Sequence, residues 1–118
     1  MTAPAGIYDI VADQGATFTR LLTWKDSAGS AVNLTGYTAR MQLRSQIDAS
    51  GAAVLELTTE NNRIVLGGTA GSINLSVAAT AMAEISAATY VYDLELVSGS
   101  VVTRLVQGTF EIRGEVTR

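Results

Sequence analysis

An all-β fold, two antiparallel sheets packed as a sandwich with one short helical crossing, is predicted by three features of this sequence. Apolar and polar residues alternate with a period of two through most of the chain, the pattern of strands that bury one face. Short clusters of Gly, Asn, Asp and Ser interrupt that alternation at strand-length intervals. Only one stretch, Ala78 to Ala87, is rich enough in Ala, with Met82 and Glu84, for helix to compete.

Residues 1–6 are small, include the only proline, Pro4, and read as an arm. Ile7 to Val11 forms a short strand, and Asp13-Gln14-Gly15 turns the chain. From Ala16 to Lys25 the alternation places Phe18, Leu22 and Trp24 on one face and Thr17, Thr19, Leu21 and Thr23 on the other. Asp26 to Ser30 is a turn, and Val32 and Leu34 form a short extended piece. Tyr37, Ala39, Met41 and Leu43 then face in, while Thr38, Arg40, Gln42 and Arg44 face out. Ser45 to Ala52 is small and polar, an exposed loop. Ala53 to Thr58 is a strand, followed by a tight turn at Glu60 to Arg63, where Asn accepts positive φ, and by the strand Ile64 to Leu66. Gly67 to Gly71 reads as a flexible turn and Gly71 to Val77 as another strand. Ala78 to Ala87 supplies a helical turn or two that crosses between the sheets.

The remaining stretch, Thr89 to Arg113, organises the rest. Tyr90, Tyr92, Leu94 and Leu96 alternate with Asp93 and Glu95, Ser98-Gly99-Ser100 closes a hairpin through a three-residue loop, and the return strand carries Val106, Phe110 and Ile112. A hairpin alone is marginal in water, so its apolar face must meet another sheet. Seven to nine strands in this order, with one helical crossing before a long terminal hairpin, suit an immunoglobulin-like sandwich better than a parallel α/β sheet. The chain, residues 1–118, reads as one domain.

Composition narrows the function. Hydrophobic residues make up 47% and charged residues 16%, too apolar a balance for a disordered chain. No apolar run approaches the ~18 residues of a membrane span, so a membrane partner is not expected. The start, Met1-Thr-Ala-Pro-Ala-Gly6, lacks the charged and apolar segments of a secretory signal, which predicts assembly in a cytoplasm. With no cysteine and no histidine, thiolate chemistry, zinc-thiolate sites and the usual neutral-pH base are gone, and no cofactor is expected. A net charge of -3 argues against a nucleic-acid partner. The basic residues are all arginine except Lys25, and arginine is the basic side chain enriched at protein interfaces.

Candidate chemistry is sparse. The carboxylates sit mostly at turns or on outward strand positions, without the facing pair that glycosidase chemistry needs, so a non-enzymatic protein is expected. Asp9 to Gln14 and Asp26 to Ser30 lack the dense pattern of a calcium loop. Gly67 to Gly71 lacks the lysine and following helix of a phosphate cradle. Arg20 shares parity with Phe18, Leu22 and Trp24, and Arg104 with Val102, Val106 and Phe110, so each points toward the core; either a bulge, for which Gly108 is a natural site, shifts the register with the long stem snorkelling at the sandwich rim, or that face is the one that meets a partner. An exposed strip of Trp24, Tyr8, Tyr37, Tyr90 and Tyr92 would make a sugar-stacking platform, the mark of a carbohydrate-binding module; core positions explain the same residues.

The order of Tyr8-Asp-Ile-Val-Ala-Asp-Gln-Gly-Ala-Thr-Phe18, Leu22-Thr-Trp-Lys-Asp-Ser-Ala-Gly29, Asn33-Leu-Thr-Gly-Tyr-Thr-Ala-Arg-Met-Gln-Leu-Arg44, Tyr90-Val-Tyr-Asp-Leu-Glu-Leu96 and Gly108-Thr-Phe-Glu-Ile112 resembles small virion proteins of tailed bacteriophages. It is similar to the N-terminal domain of phage baseplate upper proteins. The resemblance implies a non-enzymatic immunoglobulin-like module, located in the virion, that docks on other tail or neck proteins and on copies of itself in a symmetric assembly. Baseplate upper proteins continue into a receptor-binding or fibre-joining part, whereas this sequence ends at Arg118, so a docking role is expected and not a fibre-carrying one; capsid decoration is the alternative. Candidate interaction residues are Thr2, Ala3, Pro4 and Ala5 in the arm, with Arg20, Arg40, Arg44 and Arg104.

Overall fold

The computed structural model describes residues 6–47 and 51–116. It is all-β apart from a one-turn helix and a 3₁₀ turn. The strands are β1 (Gly6–Ile7), β2 (Ile10–Asp13), β3 (Phe18–Thr23), β4 (Thr38–Arg44), β5 (Leu55–Thr58), β6 (Ile64–Leu66), β7 (Ser72–Val77), β8 (Ala88–Ser98) and β9 (Val101–Arg113), with helix α1 (Ala79–Ala83) between β7 and β8. A larger sheet has the order β1-β9-β8-β4-β5, with β2 also on β9, and a smaller one the order β3-β7-β6.

The larger sheet is mixed, which corrects the expectation of two antiparallel sheets. β1 and β2 run parallel to β9, pairing Gly6 with Val106 and Ile10 with Phe110. Alternation says which face of a strand is buried and carries no information on direction, so it could not show this. Ile7 to Val11 is also not one strand. At Tyr8 and Asp9 the chain kinks against Gly108, where an added β-carbon would lie 2.7 Å from both the Tyr8 carbonyl oxygen and Asp9 Oδ1. Ladder-like bonding continues through the kink: Tyr8 N–H donates to Gln107 O at 2.9 Å, and Thr109 N–H donates to the Asp9 carboxylate at 3.0 Å.

Gly108 therefore allows a close approach and is not the bulge. The β8–β9 register moves from Leu94↔Val106 to Glu95↔Arg104, which leaves Leu105 as the extra residue. One extra residue reverses the parity between the two sides of the bulge, so Arg104, just before it, points to solvent while Val106 and Phe110, after it, face the core. The hairpin loop is shorter than expected. Ser98 pairs with Val101, and Gly99, with φ 59°, takes the first of two central positions, where a type II′ turn requires glycine.

One apolar core fills the space between the sheets, joining Met41, Leu94 and Phe110 of the larger with Phe18, Ile73 and Leu75 of the smaller. The Phe110 ring lies edge-on to Phe18, with centroids 5.1 Å apart, and to Tyr92 at 6.2 Å. A five-residue helix has too few hydrogen bonds to persist alone. Burial of Met82 and the nearby Ile85 holds α1 across one end of the core as the chain passes from the smaller sheet to the larger. Two loops differ from expectation. Gly67 to Gly71 is an ordered 3₁₀ turn whose carbonyls accept from Leu34 and Trp24 N–H at 2.8 and 2.9 Å. Val32 and Leu34 form no strand; Leu34 is buried, and Lys25 and Ala31 make an isolated bridge.

Candidate interaction surface

Period two sends Arg40, Gln42 and Arg44 of β4 to the outer face of the larger sheet, where β8 presents Val91, Asp93 and Glu95 and β9, just before its bulge, presents Arg104. Three of the expected interaction residues thus share one face. Their charges are matched across strands: Arg40 Nε lies 2.7 Å from Glu95 Oε1, and Arg104 Nε lies 3.3 Å from Asp93 Oδ2. Arg44 Nη2 donates to Gln42 Oε1 at 2.9 Å and its Nη1 to Gly51 O at 2.8 Å, while Gln42 Nε2 donates to Glu56 at 2.8 Å.

A groove of about 390 Å³ crosses this face, with Val91, Asp93, Arg104 and Gln107 along it and Ile7 and Ile47 at its margin. These two isoleucines are 71% and 89% exposed. Sequence reading missed them as site residues. A large apolar side chain at Ile47, inside an otherwise small and polar loop, is the signal that marks it.

Burial, then repulsion from Glu95, raises the Asp93 pKa above the usual carboxylate value, and Arg104 and Arg40 oppose the shift. A carboxyl with a raised folded pKa favours its protonated form, so its stabilising contribution is complete below the unfolded pKa and is lost as pH rises through the folded one. Arg104→Ala is expected to move the Asp93 midpoint higher still, read by a ¹³C carboxyl titration. An unmoved midpoint would mean that the pair is open in solution.

Arg20 does not join this face. β3 pairs with β7 without interruption from Phe18↔Val77 to Thr23↔Ser72, so no bulge turns Arg20 outward. Instead its stem runs along the rim between the two sheets, an arrangement open to long charged side chains. Its guanidinium carbon lies 5.5 Å from the Phe18 ring centre, and Nη1 donates to Tyr8 Oη at 2.9 Å. Thr2, Ala3, Pro4 and Ala5 lie outside the described residues, as do residues 48–50 of the expected 45–52 loop.

The aromatic residues do not make a flat exposed strip. Tyr90 and Tyr92 are 7% and 5% exposed, with hydroxyls donating to Ser86 O and Tyr8 O. Burial, reinforced by Tyr8 and Asp9 and opposed by Arg20, pushes the Tyr92 phenol well above its ordinary pKa. Trp24 and Tyr37 pack edge-to-face at 6.0 Å, half-buried against the core. Asp26 Oδ1 accepts from Ala28 and Ser30 N–H at 2.9 and 3.0 Å, closing its own turn. Among the described residues no three Asp or Glu carboxylates gather to hold a metal, and no helix is long and apolar enough to cross a membrane. No protein-family model matches the chain, and no curated protein matches it.

Proposed function

We propose that this chain is a non-enzymatic structural protein of a tailed-phage virion, an immunoglobulin-like module of the tail or neck that docks on other virion proteins through the outer face of its larger sheet. The observation that carries the docking role is the groove on that face, with exposed Ile7 and Ile47 beside arginines already matched by carboxylates. Apolar side chains at the margin gain by leaving water, and paired charges meet a partner at less desolvation cost than lone ones.

Strand order supports the immunoglobulin-like part. β3-β7-β6 follows the B-E-D order, and β9-β8-β4-β5 follows the G-F-C-C′ order of variable-type domains. Tyr90, near the start of the strand in the F position, donates to Ser86 O at 2.6 Å, the arrangement of a tyrosine corner. The phage part rests on the sequence resemblance. Repetition in a symmetric particle would make modest single contacts collectively strong. Immunogold labelling of tailed-phage particles carrying the protein is the test: label at the tail or neck is expected, label over the head would assign capsid decoration instead, and absence of label from intact particles would overturn the virion reading.

A further inference from the structure

Sheet edges offer unpaired backbone groups to other strands, and proteins commonly blunt them. The β5 edge of the larger sheet is blunted by its own turn: Glu56 O accepts from Asn61 Nδ2 and Arg63 Nη1 at 3.1 and 2.9 Å, and Thr58 N–H donates to Asn61 Oδ1 at 3.0 Å. β1 and β2 are two and four residues long, and β6 has three. The six-residue β3 is different. Trp24 N–H donates to Gly71 O, which fixes the ladder parity: Phe18, Arg20 and Leu22 turn their backbone groups to β7, and Thr19, Leu21 and Thr23 turn theirs outward. Among the described residues nothing bonds to those outward groups. Leu21 is 66% exposed.

We propose that the free edge of β3 is a two-fold pairing site for a second copy of this chain, the two β3 strands running antiparallel about a dyad at Leu21. The edge is self-complementary. Leu21 faces the partner's Leu21, and Thr19 faces the partner's Thr23; these are the residues whose N–H and C=O groups are free, with two bonds per opposed pair and about six in all. On the outer face the row Thr-Leu-Thr reads the same from either end, giving Thr–Thr and Leu–Leu cross-strand pairs. On the inner side the partner's Leu22 lies against the Arg20 stem, whose head group Tyr8 already holds. Leu22 and Trp24, only partly covered in one copy, become more so. A symmetric contact of this kind closes at two and does not propagate. It lies on the smaller sheet, away from the docking face, so the two readings fail separately.

Sedimentation velocity and cross-linking test it. From about 1 μM to about 1 mM, the range expected for a small interface, the wild-type mass should rise from one copy toward two. Leu21→Lys places like charges at the dyad on an exposed position and should weaken association by more than about tenfold. The chain has no cysteine, so Leu21→Cys supplies a single thiol. An opposed pair about 5.5 Å apart at Cα lies within disulfide reach, and Leu21→Cys should oxidise to a dimer at least about tenfold faster than Val65→Cys, a control exposed on the same sheet. A monomer at the highest concentration, a dimer that Leu21→Lys leaves intact, or equal oxidation of the two cysteine variants would each overturn the inference.

Discussion

Phe110→Ala should cost about 3–5 kcal/mol of folding stability, the range for emptying a fully buried aromatic site. Phe110 has no exposed surface. Its ring spans the gap between the sheets, touching Phe18 across it and Tyr92 beside it. Both neighbours are fixed by ladders, β3 on β7 and β8 on β4 and β9, so the cavity cannot close by moving one side chain. Urea unfolding at unchanged slope would report the loss as a lower midpoint. A cost below about 1 kcal/mol would mean that the site relaxes and that the sheets are held together elsewhere. Phe110→Leu, which keeps most of the volume, should cost less than half as much.

Gly108→Val should cost about 3 kcal/mol, by steric conflict and lost hydrogen bonds and not by backbone strain. The obstacle is Tyr8 backbone, with its carbonyl carbon 3.0 Å from the added β-carbon and its oxygen closer still. Backbone paired on both sides of that point cannot yield as a flexible side chain would, so β1 and β2 must leave β9. Separation would break the Tyr8–Gln107 and Thr109–Asp9 bonds and strip Tyr92 Oη of its acceptor. Amide exchange should therefore accelerate at Ile10 and Ala12 while the β4–β8 ladder stays protected. Uniform acceleration would show that the N-terminal strands are not a separable unit.

The two arginines show how far parity carries in the sequence. Arg20 and Arg104 give the same signal, a charge in phase with apolar neighbours, and the structure resolves them differently: Arg104 turns outward at the Leu105 bulge, whereas Arg20 keeps its register and lies along the rim. A bulge depends on the partner strand, and a snorkelling path depends on an open edge, so neither is a local property. Where one face is simply buried, as with Ala39, Met41 and Leu43, alternation is enough. Arg40 and Arg44 could be placed outward from their own strand; their meeting with Asp93, Glu95 and Arg104 follows from β4 lying beside β8, a pairing across nearly half the chain. Asn62, with φ 65°, was readable because its turn chemistry is contained in four residues.

The parallel seating of β2 on β9 also sets an order of events during synthesis. Ile10 and Ala12 leave the ribosome early, yet their ladder partners are Phe110 and Ile112. Until the end of β9 has emerged, the first strands have no template and their apolar side chains remain available to chaperones and to other nascent chains. The β8–β9 hairpin, with local contacts and the longest strands, can form as soon as it is released, and β2 can add only afterwards. Completion of this domain therefore waits for its last strand, and a translational pause placed before residue 110 would prolong the exposed state without helping the fold to close.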